Sequence, residues 1–313
     1  MDSCPSVVDG FLLAMPSTQD LRRRIRAVRN MQQVTRAMRM VAAARLRRAQ
    51  ERVISARPYA NNMVELLESL LRRLEGELHP LLREREGERD LLVLITADKG
   101  LCGAFNANLI RAALAFLQKR EGRKVELVAI GRKGRDFFRR RRVPIRAEYV
   151  NLTARPLEFL QAQEIASKTM ADYLDPAREI QEVTMIYNEF KSVASQRVVV
   201  EPLLPLRRPV PTGVAGNGSP RVFIEHLYEQ PPKEILGSLL PRVVETQVFR
   251  ALLESSASEH GARMMAMEAA TKNAKEVIDL LTLNMNRVRQ ASITRQIIEI
   301  VSGAAALEEA SGR

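Results

Sequence analysis

The chain has 313 residues and a formal charge of +12, and the Lys and Arg that carry it are concentrated rather than spread. Two Cys exclude a disulfide framework, and together with only three His they exclude a dedicated zinc cluster. Apolar residues make up 46% but aromatics only 4%, with no Trp, so the core is expected to be Leu, Ile, Val, Met and Ala, as in helical bundles.

Residues 1–15 are expected to be a disordered extension or a mis-called start. Phe11-Leu12-Leu13-Ala14 is too short for the apolar region of a signal peptide, and Asp2 and Asp9 stand where a basic flank belongs. Apolar runs elsewhere, such as Leu91 to Ile95, fall far short of the roughly 20 residues that cross a bilayer. The chain therefore reads as cytosolic.

Residues 16–75 read as one long helix. No Pro lies between Ser17 and Arg57, and no Gly between Phe11 and Glu75. Ser17 or Thr18 with Asp20 offers an N-terminal cap. Leu21, Ile25, Val28, Met31, Val34, Met38, Ala42, Leu46, Ala49 and Val53 follow steps of three or four, between the straight-helix and coiled-coil periods. Pro58 is expected to kink the helix, since Met63, Leu66, Leu67, Leu70, Leu71 and Leu74 continue the pattern. From Asp20 to Arg57 stand twelve Arg, no Lys and two acids, a net +10 that asks for an acidic partner surface.

Residues 76–230 alternate strand and helix. Strands are expected at Asp90 to Thr96, Lys124 to Ile130, Val183 to Tyr187 and Arg197 to Leu204. Helices are expected at Asn106 to Glu121, in a short basic stretch ending at Arg139 to Arg142, and at Pro156 to Leu174. Such alternation argues a parallel or mixed Rossmann-like sheet, with residues 205–220 as a Pro- and Gly-rich loop. Residues 231–313 hold a second long helix and a tail, the pattern running from Pro241 to about Leu307. Val277, Leu281, Met285, Val288, Ala291, Ile298, Val301 and Ala305 lie on one stripe that is interrupted at Thr294 and Arg295. The fold class is thus α/β plus coiled coil. If the two long helices pair, they run antiparallel and the C-terminal one projects beyond its partner.

The search for a catalytic site mostly fails: there is no phosphate-binding loop, dinucleotide fingerprint, zinc-protease motif or nucleophile elbow. Thr96-Ala-Asp-Lys-Gly-Leu-Cys-Gly103 puts Asp98, Lys99 and Cys102 at the carboxyl end of a strand, where α/β sites lie. A Gly-rich turn with a buried thiol is the plainer reading, because no His stands nearby in sequence to activate Cys102. Glu259-His260, within a helical small-residue stretch, reads as a packed, hydrogen-bonded His. Met264, Met265 and Met267 read as adaptable packing. The Arg-rich first helix lacks interleaved aromatics and any zipper or helix-turn-helix pattern, so acidic protein surfaces compete with nucleic acid as its partner. Ile293, Ile297, Ile298, Ile300, Val301 and Ala304 to Leu307 are apolar almost all round, and a partner must bury them.

Four segments carry a resemblance. Residues 25–50 (IRAVRNMQQVTRAMRMVAAARLRRAQ), 98–106 (DKGLCGAFN), 257–267 (ASEHGARMMAM) and 289–296 (RQASITRQ), the last continuing to Ala306, resemble the gamma subunit family of the rotary F-type ATP synthases. The similarity spans about residues 16–307 in order. It implies a non-catalytic central shaft that has no cofactor or metal. Its partners would be three alpha and three beta subunits, the epsilon subunit and the membrane c-ring, on the cytoplasmic face of a bacterial plasma membrane. By resemblance, Met38, Arg39 and Met40 face beta, while Arg289, Gln290 and Thr294 form a polar catch on beta loops. Ile297, Ile298, Val301 and Ala305 form an apolar bearing tip. Only Cys102 lies in the α/β region, so the paired-Cys redox insert of chloroplast members is absent.

Overall fold

The computed structural model describes residues 17–72, 79–154, 156–206 and 232–311. The expected extension at 1–15 lies outside them, as does all but the first two residues of the 205–220 loop. The described residues form two compact units, one within residues 39–266 and one joining residues 17–38 to 267–311. The helices α1 (Thr18–Arg72) and α5 (Pro232–Ser311) each contribute to both.

In the 39–266 unit, five strands form a sheet of order β3-β2-β1-β4-β5. They are β1 (Arg89–Ile95), β2 (Lys124–Ile130), β3 (Ile145–Tyr149), β4 (Ile180–Phe190) and β5 (Gln196–Leu204). β1 pairs in parallel with β2 and β4, and β5 closes the edge antiparallel. The central strand alternates its apolar side chains between two layers. Leu91, Val93 and Ile95 pack with α4 (Phe159–Leu174) and with the parts of α1 and α5 in this unit. Leu92 and Leu94 pack under α2 (Phe105–Lys119) and against Phe138 of α3 (Arg132–Arg140). A strand buried on both faces reads as the unbroken run Leu-Leu-Val-Leu-Ile, which is what the sequence carries.

The sequence pattern misses β3. This strand has five residues at the sheet edge, and its outward Arg146 and Glu148 break the apolar signal. Arg146 forks onto Asp172 with two bonds of 3.1 Å, and Glu148 pairs with Arg139. Between β2 and α3, Gly131 has φ +90°, and a Cβ there would stand 2.0 Å from the carbonyl oxygen of Thr96. Only glycine allows strands and helix to approach that closely.

α5 begins nine residues before Pro241, where the apolar pattern is expected to start, and runs through it, because Leu236 and Leu240 are fully buried and hold the turn that Pro241 would weaken. α1 likewise continues through Pro58, whose neighbour Ala60 is buried. From Ala251 to Gly261 every α5 residue except Ser256 is buried, so this stretch is enclosed on all sides.

In the other unit, α1 starts at a reciprocal cap: the Ser17 hydroxyl donates to the Asp20 carboxylate at 2.9 Å and accepts the Asp20 N–H at 3.1 Å. The two helices meet where the Thr35 and Thr271 hydroxyls share a 2.9 Å hydrogen bond. An antiparallel pair anchored there sets Val28 level with Ile278, Ile25 with Leu281 and Leu21 with Met285. Leu21, Ile25 and Ile278 are buried and the others half-buried, as that register requires. The inward α1 positions are Leu21, Ile25, Val28, Gln32 and Thr35, alternating steps of four and three, which is the heptad of a coiled coil. Met31 and Val34, expected on the stripe, are exposed at 62% and 51%. The apolar walk leaves the true seam at Val28 because the seam is polar at Gln32 and Thr35. Val277 of α5 is displaced in the same way, with Ala274 and Ile278 taking the inward places.

Candidate functional site

The loop after β1 is pinned rather than open. Asn106 uses its carbonyl oxygen to accept the Ala97 N–H at 2.9 Å and its amide to reach the Cys102 sulfur at 3.2 Å. Asp98 accepts the Arg132 N–H at 3.1 Å, which caps α3. Arg263 of α5 donates to the Gly100 carbonyl at 3.3 Å. Cys102 is 2% exposed, and burial pushes its thiol above the ordinary range, so it stays protonated. The sheet end where α/β proteins bind nucleotides is filled by α5, leaving about 20 Å³ among Ile95, Thr96, Gly131, Leu252, Ser255 and Glu259. That volume holds one water and nothing larger. Asp98 and Cys102 are thus engaged in contacts that shape the loop, the one with the Arg132 N–H and the other with the Asn106 amide.

α5 is held in this crevice by charge. Glu254, buried in the helix, accepts from Arg57 of α1 through Nε at 3.0 Å and Nη2 at 2.9 Å. Its other oxygen accepts the Phe190 N–H at 2.9 Å, and Arg57 also donates to the Phe190 carbonyl at 3.2 Å. α1, the end of β4 and α5 thus share one knot. Sequence reasoning missed it, although a signal exists: Glu245, Glu254 and Glu259 interrupt a long apolar helix, and buried acids require cationic partners. Beside the knot, Arg250 donates to the Tyr187 hydroxyl at 3.2 Å, and burial pushes the Tyr187 phenol up to about 12. Glu259 pairs with Arg263 at 2.8 Å, while burial raises its carboxyl above the usual range.

His260 is packed as expected but not hydrogen-bonded as expected. It is 6% exposed, its Nδ1 has no partner, and burial, reinforced by Arg263 and Arg45, brings its pKa down to about 4. Desolvation of a ring with no acceptor at Nδ1 leaves the neutral form as the stable one.

Two outward surfaces remain. On α1, Met38 and Met40 are 39% and 59% exposed and Arg39 is half-buried, so neither Met belongs to a core. On α5, every residue from Arg289 to Ala304 is exposed. The register explains this, since the first residue of α1, Thr18, stands level with Val288 and α5 continues without a partner. Arg289, Gln290 and Thr294 project here, with the Thr294 hydroxyl donating to the Gln290 carbonyl at 3.0 Å. Ile297, Ile298 and Val301 follow at 55%, 58% and 62% exposure, with Ile293 and Ile300 beside them. The side chain of Ala305 lies outside those described. Among the described residues no helix is long and apolar enough to cross a membrane.

The chain is similar to known proteins over nearly its full length. A family model described as ATP synthase matches residues 17–307. The ATP synthase gamma chain of Desulfitobacterium hafniense is 50% identical over 294 residues, covering 94% of this chain and 100% of the relative. That of Solibacter usitatus is 49% identical over 298 residues, with the same coverage. Among solved structures, a chain of the Tetrahymena thermophila mitochondrial ATP synthase central stalk and c-ring aligns at a TM-score of 0.55 and 27% identity. The alignment covers 76% of this chain and 99% of that one. A chain of the Euglena gracilis mitochondrial ATP synthase shares the fold at a TM-score of 0.64 and 21% identity, covering 93% of this chain and 94% of that one.

Proposed function

The chain belongs to the gamma-chain family of the F-type ATP synthases, and we propose from that premise that it is the rotor shaft of a bacterial enzyme, turned by proton flow through a membrane c-ring. Its partners are three alpha and three beta subunits around the shaft, with epsilon and the c-ring at the foot. It is peripheral to the cytoplasmic face of the plasma membrane. It contributes no catalytic group. Its asymmetric helices present a different face to each of three identical beta subunits, and only such differential contact can bias their states in turn.

The observation that carries this reading is the unpartnered apolar end of α5, Ile293 to Val301, exposed along a continuous helix. Water-exposed Ile on every side is unfavourable by itself and favourable inside a sleeve, where apolar contacts resist turning less than directional bonds do. Ile297, Ile298, Val301 and Ala305 take the bearing role. Arg289, Gln290 and Thr294 provide the hydrogen-bonding catch beside it. Met38, Arg39 and Met40 meet beta, and the exposure of the two Met supports a contact role over a packing one. The test is assembly. The chain, mixed with purified alpha and beta, should co-purify as one copy per three of each. The variant Ile297→Ser/Ile298→Ser/Val301→Ser should keep its own melting temperature and lose most of that assembly. Equal assembly by the variant would remove the bearing role.

A further inference from the structure

Arg45, Arg48 and Arg52 stand on α1 at spacings of three and four, so they share one helix face. They line a cavity of about 210 Å³ whose other walls include Thr153, Leu157, Ser256 and His260. Among the described residues none of the three guanidiniums has an ion pair, while their neighbour Arg47 is paired with Glu51. The buried, unpartnered Nδ1 of His260 belongs to the same cavity wall. The site therefore gathers three positive charges outside any ion pair, with the Glu259 carboxylate that acts on Arg45 already paired with Arg263, and one buried ring nitrogen without a hydrogen bond.

An anion answers both needs, and its kind follows from the donors. A carboxylate brings one charge and two oxygens, which one guanidinium fork satisfies. Three forks and an imidazole call for higher charge and more oxygens. The volume lies below the roughly 300–1,000 Å³ of sites for drug-sized ligands, so the group itself is small. We infer that this cavity is a binding site for a phosphate group. An adjoining cavity of about 350 Å³ shares Arg52, Leu157 and Leu253 and is lined by Tyr59, Phe159 and Phe249. A phosphate held by the Arg stripe can thus be free or can carry an organic group stacked on those rings. His260, neutral at pH 7 because burial holds its pKa at about 4, donates Nδ1–H to the anion without taking up a proton.

The experiment is calorimetric titration of the full-length chain with inorganic phosphate, pyrophosphate and ATP at fixed ionic strength. Saturable one-site binding is expected for pyrophosphate. Arg48→Gln/Arg52→Gln should weaken it tenfold or more, while Arg22→Gln/Arg26→Gln, which removes the same charge elsewhere on α1, should change it less than twofold. All four Arg are exposed, so both pairs fold, and circular dichroism checks it. In the unsubstituted chain, saturation should move the imidazole NMR signals of His260 and not those of His79. ATP binding tenfold tighter than pyrophosphate assigns the phosphate to a nucleotide, and equal binding assigns it to free phosphate. Non-saturable binding, equal loss in both Arg pairs, an unmoved His260 signal, or displacement by polyglutamate at lower concentration than by pyrophosphate would each overturn the inference.

Discussion

Removing Glu254 tests whether α5 is locked into the sheet by the charged knot or merely by its apolar faces. In Glu254→Ala the Phe190 N–H, in a 91% buried residue, loses its acceptor, and Arg57 loses its counter-charge. An unsatisfied buried donor costs ~1–3 kcal/mol and a lost charge-assisted bond ~1.5–3 kcal/mol. Breaking a fully buried pair costs about 3–5 kcal/mol, but the Arg57 side chain is 44% exposed and can return to water, so the lower end applies. The expected loss is ~3 kcal/mol. Arg57→Ala should cost a similar amount by stranding the Glu254 carboxylate, and the double variant should cost much less than the sum. The coupling in a double-mutant cycle, read from urea denaturation by circular dichroism, should be ~2 kcal/mol. A coupling under ~0.5 kcal/mol would refute the knot as an energetic unit and leave α5 held by hydrophobic burial alone.

Three further outcomes follow from the same geometry. His260 has a folded pKa of about 4 against 6.5 unfolded, so the unfolded state binds the extra proton. Its contribution, full above pH 6.5 and lost as pH falls towards 4, is up to ~3 kcal/mol, and His260→Gln should flatten the fall in melting temperature between pH 7 and 5. Gly131→Ala places a Cβ against the Thr96 carbonyl in a left-handed backbone and should destabilise by at least ~2 kcal/mol in chemical denaturation. Cys102 should react with a thiol reagent at least ~100-fold more slowly in the native chain than in urea, and rapid native labelling would contradict its buried, protonated state.

The two long helices and most of the central strands are legible because each rests on a local rule: an absence of breakers, a period near 3.5, or an apolar run flanked by glycine. β3 is hidden because a short edge strand with ion-paired Arg146 and Glu148 carries no apolar run. The α1 seam is misread between Val28 and Ala42 because two stripes diverge there, and hydrophobicity favours Met31, Val34 and Met38. The partner helix instead selects Gln32 and Thr35, the latter through its bond to Thr271. That choice is a property of the pair, not of α1. The Glu254 knot and the cavity at His260 join segments from 64 to over 200 positions apart, and only the acids buried in α5 hint at the knot from sequence. The exposed end of α5, by contrast, is visible at once, because apolar residues all round a helix demand burial wherever they occur.

The central claim is that α5 beyond its coiled-coil partner is the part of a shaft that seats in an alpha–beta ring. ATP hydrolysis by purified alpha and beta subunits, mixed with the full-length chain or with the chain ending at Asn286, tests it most directly. The full chain should assemble a stable, active complex, and the shortened chain, which keeps the paired helices but lacks the bare end, should give markedly lower activity. A full chain that neither binds alpha and beta nor raises their hydrolysis would contradict the shaft, and a shortened chain as active as the full one would contradict the seat.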